Sequence, residues 1–312
     1  MMNTNIETRE TLRLGTRGSP LAMAQAVETR QRLAGIQPDL SVEIVEIKTT
    51  GDRVVDRRLA EIGGKGLFTK ELDDALLDGR IDFGVHSMKD METWLPDGIE
   101  IAAVLPREDP RDALVSYVAD SIEALPEGAV IGTASLRRQA QLLARRPDLE
   151  VVMFRGNVQT RMAKLKRGEA VATFLATAGL NRLGVSDDAV RPLSTDTMLP
   201  AVAQGAIAIT IRRGDEPARA AIAQLNDPAS AIRTTAERGF LAALDGSCRT
   251  PIAGLAEISE DGTILSFRGL VARPDGTGMM TVSDEGPVEE AEEIGLRAGR
   301  GLRPRMDQGY FE

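Results

Sequence analysis

Leu12-Arg13-Leu14-Gly15-Thr16-Arg17-Gly18-Ser19-Pro20 is the stretch whose reading decides the fold. Residues 12–16 read as a short strand and Arg17-Gly18 as a turn. Ser19 can cap a helix, and Pro20 suits the first helical position, where its missing N–H costs nothing. An alanine-rich helix then runs to about residue 33. The same order returns at Val130-Ile131-Gly132-Thr133-Ala134-Ser135, leading into Leu136-Arg137-Arg138-Gln139. Each copy opens with Gly-Thr and a nearby serine, and each carries arginine at the turn or in the first helical turn. The echo predicts two related α/β domains.

Working outward, strands are expected over 41–48, 81–86, 150–154 and 171–175, and helices over 68–77, after Ser135, and over 158–167. Alternating strands and helices argue for α/β layers with largely parallel sheets. The polar, glycine-bearing stretch 50–66 is long for a connector and reads as a lid. Residues 106–110 and 199–204 read as crossings between the two domains. From about residue 228 the character changes to a helix over 229–244, strands over 252–258, 264–272 and 278–282, and a last helix from near Pro287. That order suggests a small α+β domain. The tail, 301–312, shows no periodicity. The expected partition is 1–105 with 204–225, then 106–203, then 226–312.

The chain has 312 residues, long for one core, and is 42% hydrophobic and 27% charged, as soluble globular proteins are. No apolar run approaches membrane-spanning length, and residues 1–11 lack the apolar core of a signal peptide, so a soluble cytoplasmic protein is expected. A net charge of −9 argues against a general nucleic-acid binder. Of the 38 cationic residues only six are lysine. Arginine forks bind carboxylates bidentately where lysine offers a point charge, although a compositional bias towards arginine is the plainer account of most of the skew.

Six arginines fall at loop or helix-start positions: Arg17, Arg137, Arg138, Arg155, Arg161 and Arg182. Helix N-termini already favour anions, and arginines added there form an anion-binding cleft where strand ends meet. Any one of them reads more simply as a solvated surface residue. Several at equivalent positions point to a polyanionic ligand, with each charge-assisted bond contributing about 1.5–3 kcal/mol. His86-Ser87-Met88-Lys89-Asp90 follows an apolar strand. Asp90 beside Lys89 suits proton transfer or stabilisation of a cation, against the plainer reading of a loop salt bridge.

Cys248, the only cysteine, lies in Gly246-Ser247-Cys248-Arg249-Thr250-Pro251. A lone cysteine excludes an intrachain disulfide. A tight exposed loop with a neighbouring cation favours the thiolate, while a small buried filler is the common fate of free cysteine; both readings stand at this point. A cysteine hydrolase would need His86, the only histidine, as its base. One cysteine and one histidine make no metal site, and there is no Walker A or GxGxxG motif for a nucleotide.

Taken in order, these segments resemble the porphobilinogen deaminase (hydroxymethylbilane synthase) family. The resemblance is carried by Gly15-Thr16-Arg17-Gly18-Ser19-Pro20-Leu21-Ala22, Gly63-Gly64-Lys65-Gly66-Leu67-Phe68, His86-Ser87-Met88-Lys89-Asp90, Arg107-Glu108-Asp109-Pro110-Arg111-Asp112, Gly132-Thr133-Ala134-Ser135-Leu136-Arg137-Arg138-Gln139, Arg155-Gly156-Asn157-Val158, Leu199-Pro200-Ala201-Val202-Ala203-Gln204-Gly205 and the Cys248 loop. It covers the chain from about residue 12 to the final helix.

The resemblance implies an α/β enzyme of three domains, with two periplasmic-binding-protein-like α/β lobes around a cleft and a small α+β C-terminal domain. Such an enzyme joins four porphobilinogen molecules head to tail, releasing ammonia and hydroxymethylbilane for tetrapyrrole and haem synthesis. It implies a dipyrromethane cofactor held by Cys248 through a thioether, and Asp90 as the catalytic carboxylate with Lys89 beside it. Arg17, Arg137, Arg138, Arg155, Arg161 and Arg182 match the arginines that bind acetate and propionate groups. Ser19, Lys65, Thr133, Ser135 and Gln204 match further contacts, and Phe68 follows the lid. It also implies a monomer acting on a small molecule, with neither nucleic acid nor membrane as partner, that hands its product to the next pathway enzyme.

Some positions depart from the family pattern. Met91-Glu92 stands for the usual Val/Leu-Pro, Glu61 for a frequent lysine, Ala134 for a frequent serine and Ser247 for a frequent glycine. From a different class, a solute-binding module would also carry two α/β lobes around an anion cleft. The third domain with Cys248, and the lack of a signal peptide, count against it.

Overall fold

The computed structural model describes residues 10–53, 66–245 and 250–310. In chain order the strands and helices begin β1 (Thr11–Thr16), α1 (Pro20–Ile36), β2 (Ser41–Glu46), α2 (Thr50–Arg53), α3 (Lys70–Leu77), β3 (Phe83–Ser87) and β4 (Ile99–Val104). There follow β5 (Asp112–Ser116), β6 (Val130–Gly132), α4 (Leu136–Arg145), β7 (Glu150–Val152), α5 (Val158–Lys166), β8 (Ala172–Ala176), α6 (Thr177–Arg182) and β9 (Val190–Pro192). The chain then forms β10 (Ile207–Arg212), α7 (Glu216–Ile222) and α8 (Pro228–Ala243). It closes with β11 (Ile252–Ile258), β12 (Ile264–Val271), β13 (Met280–Pro287) and α9 (Ala291–Leu302).

Two compact units result. The first takes its described residues from 10–53, 66–107 and Ala206–Ala231, and the second from Glu108–Gly205 and 232–310. The first unit holds a sheet in the order β2-β1-β3-β10-β4, and the second a sheet in the order β7-β6-β8-β5-β9. In the first, β1 runs parallel to β2 and β3, while β10 runs antiparallel to β3 and β4. In the second, β6 runs parallel to β7 and β8, while β5 runs antiparallel to β8 and β9. The two orders match place for place, so the echo between residues 12–20 and 130–138 extends to whole sheets.

The expectation of largely parallel sheets needs correction, because both sheets are mixed. In each, the antiparallel strand follows a crossing segment, β5 after 106–110 and β10 after 199–204. Both are short runs of almost wholly buried residues. Such runs have no periodicity to announce them. Strand β13 also extends beyond the expected 278–282, which moves the last helix to Ala291.

Local chemistry explains the elements that hold the site. Ser19 Oγ accepts from Ala22 N at 3.3 Å, capping α1, and Pro20 follows it. Ser135 caps α4 in the same way, accepting from Arg138 N. Ala22, Ala26 and Leu33 recur at helical spacing on the buried face of α1. Ala26 and Leu33 pack in one core with Leu12, Leu14, Phe83, Val85, Ile207 and Ile209.

The C-terminal layer is the antiparallel sheet β11-β12-β13 with α8 and α9. Its core includes Phe240 and Phe267, whose rings lie 4.9 Å apart, together with Ile294 and Tyr310. The tail is thus anchored despite its lack of periodicity: Tyr310 donates to Gly278 O at 2.7 Å. The layer packs within the second unit, where Ala140 and Leu199 cluster with Ala253, Leu255, Leu270 and Ala272. Helices α8 and α9 approach closely at Gly295, where an added Cβ would lie 1.9 Å from Ala236 O. Backbone cannot yield as a side chain does, so Gly295→Ala is expected to lower stability by about 1–3 kcal/mol, read as a fall in the urea midpoint at constant slope. An unchanged midpoint would mean the helices part without cost.

No described helix is long and apolar enough to cross a membrane.

Candidate functional site

In the first unit, chemistry gathers where β1 and β3 end. Thr16 is buried and donates to Ala22 O at 3.2 Å, closing the turn that carries Arg17. The Arg17 guanidinium lies 4.2 Å from the centroid of the Phe68 ring, within cation–π range. Its Nη1 is 3.9 Å from Asp90 Oδ2. Beyond β3 a single 3₁₀ turn, Met88–Asp90, is pinned by the buried Met88 side chain and by Met88 N donating to Ala206 O at 3.0 Å. Asp90 is thereby held at the rim with its side chain about one-third exposed (35%). Ser87 and Gln25 are hydrogen-bonded side chain to side chain at 2.8 Å. Arg17, Ser19, Gln25, Phe68, Ser87 and Asp90 line one recess.

His86 borders the same recess but is buried, with Nε2 3.0 Å from Thr210 Oγ1. Burial, with the charge of Arg17 adding to it, pushes the imidazole down to about 4. A neutral, packed histidine bonded to a threonine is poorly suited to activating a thiol.

In the second unit, strand β6 runs into Thr133, whose Oγ1 accepts from Ser135 N at 3.1 Å. The six arginines now separate. Arg137 and Arg138, nominally at a helix start, are nine-tenths buried against Asp112, which has no exposed surface. Arg137 Nη1 donates to Asp112 Oδ2 at 2.6 Å and to Leu199 O at 2.8 Å. Arg138 donates to Asp112 Oδ1 through Nε and Nη2, at 3.1 and 2.7 Å, and to Phe174 O. Gln204 joins the cluster, with Nε2 donating to Asp112 Oδ1 at 3.0 Å and to Pro110 O at 2.8 Å. Burial alone would raise the Asp112 pKa, but the two guanidinium charges and their hydrogen bonds hold it far below the usual carboxylate range.

Arg182, at the end of α6, donates to Gly205 O at 3.0 Å. Arg155 sits in the loop after β7, and its carbonyl accepts from Lys164 Nζ. Arg161, on α5, is different. Its Nε is buried with no hydrogen-bond partner among the described residues. Burial, and then the charge of Arg138, pull its pKa down to about 10, so it remains a cation.

A family model described as porphobilinogen deaminase, dipyromethane cofactor binding domain, matches residues 12–220, and its C-terminal domain counterpart matches residues 231–303. The chain belongs to the porphobilinogen deaminase family. Porphobilinogen deaminase of Paracoccus denitrificans is 55% identical over 96% of this chain and 96% of its own length. The chloroplastic porphobilinogen deaminase of rice (Oryza sativa) is 52% identical over 96% of this chain and 86% of its own. Among solved structures, a putative methionine-binding lipoprotein from Bacillus subtilis shares 14% identity over 69% of this chain and 90% of that chain, with a TM-score of 0.43.

Of the residues the family pattern picks out, the first unit brings together Arg17, Ser19, Phe68 and Asp90, with Lys89 in the same turn. The second brings together Arg137, Arg138 and Gln204, with Thr133 and Ser135 at the start of α4. Lys65, Cys248 and residues 54–65 of the expected lid lie outside the described residues. Three groups escaped the sequence reading of single residues. Asp112 opens a buried strand, and an acid at the head of an apolar run was the available signal. Gln25 interrupts the alanine-rich face of α1. Glu237, with no exposed surface, accepts from Ala203 N at 2.6 Å and Ala256 N at 2.9 Å. A charged residue in the buried stripe of α8 was its signal.

Proposed function

We propose that the chain is a hydroxymethylbilane synthase, a transferase that joins four porphobilinogen molecules head to tail on a dipyrromethane primer tethered to Cys248 and releases ammonia and hydroxymethylbilane. The observation that carries this reading, beside family membership, is Arg161, a half-buried side chain whose Nε is buried and unpartnered among the described residues. A buried cationic N–H without an acceptor is costly, and a carboxylate oxygen would satisfy it. Each porphobilinogen unit carries an acetate and a propionate, so a growing chain offers many carboxylates to Arg161 and its neighbours.

The charge of the donor set suits the carboxylates of a dipyrromethane group, although Arg137 and Arg138 are also paired with Asp112. Arg137, Arg138, Thr133, Ser135 and Lys89 would hold it, and Cys248 would form the thioether. When bound, the group supplies the free pyrrole carbon at which the chain is extended.

The protein's own residues do the rest. Arg17, Ser19, Arg155, Arg161, Arg182, Lys65 and Gln204 bind and orient substrate carboxylates. Phe68 packs on Arg17 and keeps its fork in place. Asp90 donates a proton to the departing aminomethyl nitrogen, stabilises positive charge on the pyrrole left behind, and takes up the proton released when the new bond forms. Lys89 beside it adds a fixed positive charge. The same proposal includes the three-domain partition, a cytoplasmic location, and a monomer that passes its product onward.

Intact-mass measurement tests the reading. Freshly purified active protein is expected to weigh more than its polypeptide by one dipyrromethane, and Cys248→Ser is expected to lose that increment. Active protein at the bare polypeptide mass would sink the proposal.

A further inference from the structure

We infer that Glu92, where this chain departs from its family's pattern, is a positioning residue: it fastens the Gly66–Thr69 turn and so holds Phe68 against Arg17. The inference rests on the function proposed above for Arg17. Glu92 Oε1 accepts a hydrogen bond from Gly66 N. Gly66 has φ +71, the left-handed region, so its N–H is aimed by a backbone that few other residues adopt. From Gly66 the turn closes on itself, because Thr69 N and Lys70 N both donate to Gly66 O, at 3.0 and 2.8 Å. Fixing Gly66 therefore fixes the start of α3.

The two residues inside the turn carry the consequence. Leu67 O accepts from Gly51 N at 2.8 Å, and an added Cβ on Gly51 would stand 2.3 Å from Phe68 Cε1. The Phe68 ring thus lies directly on the backbone of α2. It also meets the Arg17 guanidinium at 4.2 Å. Arg17 in turn is 3.9 Å from Asp90, two residues before Glu92. The path from Glu92 through Gly66, Phe68 and Arg17 returns to Asp90, so one carboxylate braces the far side of the recess that the neighbouring carboxylate serves. A proline, the family's usual residue at this place, has no side-chain acceptor and could not make the bond.

The contact needs an acceptor oxygen rather than a charge. Glu92→Gln keeps an oxygen at the same reach, and Glu92→Ala removes it, so the pair separates positioning from loss of fold. Three readouts apply to the purified full-length enzyme. Hydrogen exchange at the Gly66 amide is expected to quicken about tenfold or more in Glu92→Ala and to stay near wild type in Glu92→Gln, as loss of a hydrogen bond implies. The ring-current shift that Phe68 imposes on the Arg17 side-chain protons should shrink in Glu92→Ala and return in Glu92→Gln. KM for porphobilinogen should rise about tenfold in Glu92→Ala with kcat within about threefold, the signature of lost binding geometry without lost chemistry.

Equal Gly66 exchange in wild type and Glu92→Ala overturns the anchor. Faster exchange with an unchanged Arg17 shift overturns the link to Phe68. A wild-type enzyme that consumes no porphobilinogen refutes the proposed function instead, while the exchange and shift comparisons still decide the role of Glu92.

Discussion

Asp90→Asn is expected to lower kcat by ~10²–10⁴-fold while leaving porphobilinogen binding nearly intact. Asparagine has almost the same shape, so the turn pinned by Met88 should persist, and only the proton and the charge are lost. In the proposed function the substrate carboxylates meet arginines rather than Asp90, and for that reason KM is expected to move little. The expected loss corresponds to about 2.7–5.5 kcal/mol of transition-state stabilisation. Because Asp90 is one-third exposed and its distance to Arg17 is long for an ion pair, the thermal midpoint should barely change. Steady-state kinetics and thermal unfolding on the same preparation separate these effects. Near-normal kcat would remove Asp90 from the chemistry, and a collapsed midpoint would show that the residue is structural.

Asp112→Asn is expected to destabilise the protein by about 3–5 kcal/mol. The Asp112 carboxylate is fully buried and receives Arg137, Arg138 and Gln204 on its two oxygens. Asparagine would keep one acceptor, turn an NH₂ towards a guanidinium, and leave two buried cations without a counter-charge. The pH dependence follows from the direction of the shift. A carboxylate whose folded pKa is depressed contributes stability above its unfolded pKa and loses it only as pH falls through the folded value. The difference between wild type and Asp112→Asn should therefore stay flat from about pH 5 to about pH 8. Urea unfolding across that range measures it. A loss below about 1 kcal/mol would mean that the pair is screened as a surface ion pair is.

These two residues differ in how visible they were. Asp90 stands in a short motif after a strand, and its neighbours in sequence are also its neighbours in the site. Asp112 lies 25 and 26 positions from the arginines it holds. Nothing local announces such pairing, so Arg137 and Arg138 read as ligand forks or as solvated surface residues, whereas each is held in an internal ion pair with Asp112. Glu237 is hidden in the same way, with partners 34 and 19 positions away. The helix starts at Ser19 and Ser135 were legible because capping needs only residues within one turn. Strands β5 and β10 were not, since an unbroken buried run has no periodicity and its direction depends on where the chain arrives.

By itself the sequence determined the repeated strand–turn–helix plan, the caps of α1 and α4, the α+β character of the C-terminal layer and, through its ordered motifs, the family. All of these rest on interactions between residues close in the chain or on patterns kept in order along it. Tertiary structure alone decided the mixed sheets, the internal role of Asp112, the neutral burial of His86, the close crossing of α8 and α9 at Gly295, and the exceptional state of Arg161. Each of these depends on which distant segments meet and on how much water is left between them. The cost of an unpaired buried charge, or of a methyl group against a backbone carbonyl, is set at that contact, between segments far apart in the chain.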